Sequence, residues 1–77
     1  MNKAMPASLH IFFSAYKTGD LEERKLYRQC WRYVDSGKAT LKQICRIGAS
    51  YDIPENTTRI HRKEWVSLRK HQSTLGE

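Results

Sequence analysis

Apolar residues along this chain recur at helical spacing, and no stretch alternates strictly between apolar and polar. Leu9, Phe12, Phe13 and Tyr16 share one side of a predicted helix from about Ser8 to Lys17, which "TGD" at 18–20 ends. Asp20 and Glu23 then stand at capping-box spacing, with acids in the first turn where the helix dipole favours them. They predict a second helix through "LEERKLYRQCWRYVD", ending at Gly37. Its apolar face, Leu26, Tyr27, Cys30, Trp31, Tyr33 and Val34, is wide enough to touch two neighbours.

Thr40 and Gln43 repeat the capping-box spacing and open a third predicted helix, with Leu41, Ile44, Cys45 and Gly48 at i, i+3, i+4 and i+7. That helix stops near Tyr51, because Pro54 pushes Ile53 out of the helical region while suiting the first turn of a new helix. The last helix is predicted from about Pro54 to His71, with "QSTLGE" at 72–77 as a loose tail. The fold class expected is all-α, a small four-helix domain.

With 77 residues there is room for one domain, and a chain of this size buries only about 60% of its unfolded surface, so the core must be thin. That leaves little volume for a substrate cleft. The formal net charge of +6 and a pI near 9.6 favour an anionic partner. The excess is not evenly spread. Residues 20–36 carry four acids and four bases, whereas residues 37–77 carry eight bases and four acids.

The stretch "IGASYDIPENT", residues 47 to 57, lies inside that basic half and resembles the turn region of helix-turn-helix DNA-binding domains, written roughly A-x-x-Y-G-I-P-x-x-T. The resemblance spans about residues 41–65, and the motif as a whole would occupy about 40–71. It implies a small residue where two helices cross, here Gly48, and an apolar residue closing the first helix, here Tyr51. Asp52 stands at the left-handed turn position where Gly is common, Ile53 plugs the core, and Pro54 opens the recognition helix. Two positions depart from the pattern: Thr58 and His61 occupy inner-face positions usually held by apolar anchors, leaving Trp65 and Leu68 to continue the buried line. Ile60 would point outward.

The same resemblance implies an outward face of Glu55, Asn56, Arg59, Arg62 and Lys63. Base edges in the major groove of double-stranded DNA would fall to Asn56 and Arg59, since an amide matches adenine and a guanidinium matches guanine. Phosphates would fall to Arg62, Lys63, Arg69 and Lys70, with Thr40 and Lys42 clamping the backbone from the preceding helix. Glu55 would repel phosphate there, accept a hydrogen bond from cytosine, or serve only as an acid at a helix start. The function implied is a small transcriptional regulator without catalytic activity, strengthened by homodimer formation.

Blander readings stand beside this one. "RIHRKEW" also reads as a solvated basic helix face, and the spacing of Tyr16, Tyr27, Trp31, Tyr33 and Trp65 reads as core packing rather than as a stacking platform for single strands. His10, His61 and His71 with Cys30 and Cys45 match no zinc spacing, so no metal or other cofactor is expected. The same residues offer no fixed nucleophile–base pair, and no phosphate-binding or dinucleotide fingerprint is present. Two cysteines without C-x-x-C predict buried apolar thiols in a reducing cytoplasm. The apolar run "LHIFF" falls far short of the roughly 20 residues of a membrane span. The rival function is a protein-binding adaptor or inhibitor, steered by charge to an acidic patch and using Ile60 or an exposed Leu26–Val34 face as its apolar contact. RNA binding shares the charge argument but has no motif of its own.

Overall fold

The computed structural model describes residues 6–75, with side chains over 6–70. Four helices follow one another: α1 (Ala7–Lys17), α2 (Glu23–Asp35), α3 (Leu41–Ser50) and α4 (Glu55–Leu75). No strand occurs among the described residues. Helix α4 runs past His71, the predicted end, and so takes in residues 72–75 of the expected tail; residues 76–77 lie outside the described part.

Helix α1 packs on α2 and α3, and α4 packs on the same two helices. The core between them gathers Leu9 and Phe13 from α1, Leu26, Tyr27, Cys30 and Trp31 from α2, Ile44 and Ile47 from α3, and Ala39 and Ile53 from the connections. The wide apolar face of α2 is therefore used inward. Phe12, Tyr33 and Val34 pack against the rim of this core, with the Phe12 and Tyr33 rings edge to face at 6.1 Å. Ser8 Oγ and the Tyr33 hydroxyl lie 2.6 Å apart and tie α1 to the far end of α2.

Both early helix ends close on a left-handed glycine. Gly19 (φ 88°) lets Asp20 N–H reach the Ala15 carbonyl at 2.8 Å, and Gly37 (φ 81°) lets Lys38 N–H reach that of Tyr33 at 2.9 Å. The expected capping box of α2 does not form. Glu22 is the N-cap residue and makes no side-chain cap bond, while Asp20 accepts a hydrogen bond from Thr18 at 3.2 Å. Glu23 is drawn elsewhere, accepting from the Tyr16 hydroxyl at 3.2 Å and standing 2.7 Å from His61 Nε2. Tertiary partners outcompete the local cap because each carboxylate oxygen of Glu23 already has one.

Candidate nucleic-acid interface

Helix α3 opens with the capping box its sequence predicts: Gln43 N–H donates to Thr40 Oγ1 at 3.1 Å, and Thr40 N–H donates to Gln43 Oε1 at 2.9 Å. The Thr40 hydroxyl oxygen is thus occupied as a cap. At its other end Tyr51 and Ile53 N–H both donate to the Gly48 carbonyl at 2.9 Å. Asp52, at φ 68°, is the only non-glycine residue with positive φ among those described, and its carboxylate meets Lys17 Nζ at 3.1 Å.

Gly48 of α3 faces Thr58 of α4 at close range. A Cβ placed there would lie 3.3 Å from Thr58 Oγ1 and 3.7 Å from both Ile53 and Phe13. Tyr51 stacks on Phe13 with ring centroids 5.7 Å apart, and Ile53 is buried. The Pro54 carbonyl receives Thr57 N–H at 3.0 Å and starts α4. Each of these turn residues sits where its chemistry requires.

The polar inner face of α4 docks through specific pairs. Thr58 is fully buried, and its hydroxyl meets the Tyr27 hydroxyl at 2.7 Å. His61 stacks on the Tyr27 ring at 4.4 Å while bonding Glu23. These contacts replace the apolar anchors that the pattern leads one to expect.

Two expected placements are corrected by the structure, those of Arg62 and Leu68. Arg62 does not share the outward face: its Nη1 lies 3.0 Å from Asp35 Oδ1 with the guanidinium over the Trp31 ring at 5.4 Å, and Arg69 Nη1 lies 3.4 Å from Asp35 Oδ2 with its guanidinium over Trp65 at 5.6 Å. Trp65 Nε1–H donates to the same carboxylate at 2.9 Å. Leu68 is 54% exposed instead of continuing the buried line. Thr40 is the cap of α3 and is exposed. The common cause of the α4 changes is the phase of the helix, whose inner stripe passes through Thr58, Arg62, Trp65 and Arg69 and leaves Leu68 to one side.

Asp35 organises the packing of α4 on this end of α2. Partial burial acts to raise its pKa, but the hydrogen bond from Trp65, the contact with Arg62 and the charges of Arg62 and Arg69 prevail and hold it below its usual range. Arg62 Nη1 is buried without a hydrogen bond, so its approach to Asp35 acts as an ion pair rather than an aligned bond. Arg62 is therefore committed to the fold.

Asn56, Arg59, Ile60 and Lys63 are exposed on the side of α4 away from that stripe, and Lys70 is exposed beside Arg69 and Asp35. Arg59 Nε donates to Glu55 Oε2 at 2.6 Å, one turn back, and this bond raises the guanidinium pKa. An exposed pair of this kind contributes little to stability, so exchanging Glu55 for another acceptor costs little. Cys45 on α3 lies close enough to Arg59 and Glu55 to feel both charges. Lys42, three residues earlier on α3, is exposed, as is Arg46, which the sequence pattern did not single out. The i, i+4 spacing of Lys42 and Arg46 on the polar side of α3 was the available signal.

Cys30 and Cys45 are buried free thiols, and burial pushes Cys30 up to about 12. Among the described residues no group of His, Cys, Asp and Glu could hold a metal ion, and no helix is long and apolar enough to cross a membrane. No protein-family model, curated protein or solved structure matches the chain. The functional reading rests on the residues themselves.

Proposed function

We propose that this protein binds double-stranded DNA as a small non-enzymatic transcriptional regulator of the cytoplasm, with α3 and α4 acting as a helix-turn-helix and α4 entering the major groove. One observation carries this reading: the first turns of α4 dock by Thr58 and His61 on one side and leave Asn56, Arg59 and Lys63 exposed on the other. Asn56 and Arg59 read base edges. Lys63 and Lys70 bind phosphates, joined by Lys42 and Arg46 from α3. Ile60, 55% exposed within the same stripe, makes an apolar contact in the groove, and pairing of two copies doubles the contact area.

The use of Leu26, Tyr27, Cys30 and Trp31 inside the core supports this reading over an adaptor that presents the α2 face to a partner. Binding of a labelled random duplex, followed by anisotropy at two salt concentrations, tests the proposal. Affinity is expected to fall steeply with salt, and Lys63→Ala to reduce the slope by about one. Arg59→Ala is expected to cost about 1–3 kcal/mol of discrimination at one base position. Retention of full affinity and slope by the Arg59→Ala/Lys63→Ala double variant, with its fold intact, would exclude the reading.

A further inference from the structure

Helices α2 and α4 do not close completely on each other. Between them runs a groove of about 640 Å3, walled by Arg24 and Arg28 from α2 and by Trp65 and Leu68 from α4. Three arginines line it against a single carboxylate, that of Glu64. Arg69 is already engaged by Asp35 and Trp65, but Arg24 and Arg28 are exposed and have no ion pair or hydrogen bond among the described residues. Beside them Leu68 presents over half of its surface to solvent. An exposed leucine beside two unpaired cations matches one kind of occupant by charge and by apolar contact.

We propose that this groove binds an acidic amphipathic helical segment of a partner protein. Arg24 and Arg28 are one turn apart, about 6 Å along the axis, which is the spacing of two carboxylates at i and i+4 on a facing helix. An aliphatic or aromatic side chain from the same face of that helix rests on Leu68 and Trp65, as in helix-in-groove recognition. A nucleic-acid strand fits less well. Tyr27 and Trp31 are each 1% exposed, and Arg69 lies over Trp65, so the rings that line the groove have little open face on which to stack a base.

The site is independent of the DNA-binding proposal. At about 100° per residue, Leu68 and Trp65 lie roughly a third to a half of a turn around α4 from Asn56 and Lys63, so both sides of the helix can be occupied together.

Selecting a displayed random peptide library on the purified full chain tests this. The enriched peptides are expected to carry Asp or Glu four residues apart beside an apolar residue, and to change Trp65 fluorescence on binding. Their affinity should drop by about tenfold or more in Arg24→Glu/Arg28→Glu and in Leu68→Asp, and should be unchanged in Lys63→Ala. Circular dichroism of the variants checks that the exposed substitutions leave the helices intact. Failure to enrich acidic peptides, or binding that survives both groove variants, overturns the proposal. So does a dimer in sedimentation that Leu68→Asp disperses, or a single-stranded oligothymidine that binds and is lost with Arg24→Glu/Arg28→Glu in place of the peptide.

Discussion

The hydroxyls of Tyr27 and Thr58 meet at 2.7 Å in the interior, linking α2 to α4 across 31 residues of chain. Both residues are at most 1% exposed, and Thr58 is the only buried polar residue among those described. Removing one partner strands the other in an apolar setting, whereas removing both leaves nothing unsatisfied. Thr58→Val and Tyr27→Phe are each expected to lower stability by about 1–3 kcal/mol, and the double variant by clearly less than their sum. Urea unfolding of the four proteins measures the coupling.

Thr58 also limits what Gly48 can become. An alanine Cβ would gain helix propensity of about 1 kcal/mol but would press on Thr58 Oγ1 at 3.3 Å, and that atom is held by Tyr27. Gly48→Ala is expected to be destabilising by about 1 kcal/mol, because the neighbour cannot yield without weakening its own bond. In the Thr58→Ala background the contact is gone, so the same substitution should become neutral or stabilising. Thermal melts in both backgrounds decide.

Asp52 holds a left-handed backbone, which favours glycine, while its ion pair to Lys17 is exposed at both ends and contributes little. Asp52→Gly is expected to raise stability by about 0.5–1 kcal/mol and Asp52→Val to lower it by about 1–3 kcal/mol. Chemical denaturation midpoints of the two variants should move in opposite directions.

Asp35 makes the docking of α4 sensitive to acid. Its pKa in the folded protein is below the ordinary 3.8, so the unfolded chain takes up the proton more readily. The resulting stabilisation is complete above the ordinary value and is lost as pH falls through the lower folded value. In Asp35→Asn that share of the acid-dependent loss should vanish. The variant should also be less stable at pH 7, since the half-buried guanidinium of Arg62 loses its counter-charge. Melting temperatures of the two proteins between pH 7 and pH 2.5 give both results.

Helix content and the form of the α3–α4 turn were legible along the chain because their causes are local. Apolar spacing, the Thr40–Gln43 cap, the tolerance of Asp52 for positive φ and the stop at Pro54 each act within a few residues. The apolar face of α2 was likewise legible, since a stripe that broad has to be covered. Tertiary structure alone decided which cations pair with a carboxylate of another helix. Arg62 and Arg69 were taken by Asp35, and Leu68 was left at a groove, because the inner stripe of α4 is rotated by a fraction of a turn from the simplest reading. The same holds for Glu23, which left a helix cap for Tyr16 and His61. Periodicity names a face only to within such a fraction, and the commitments of long polar side chains depend on partners that come close only when distant helices cross.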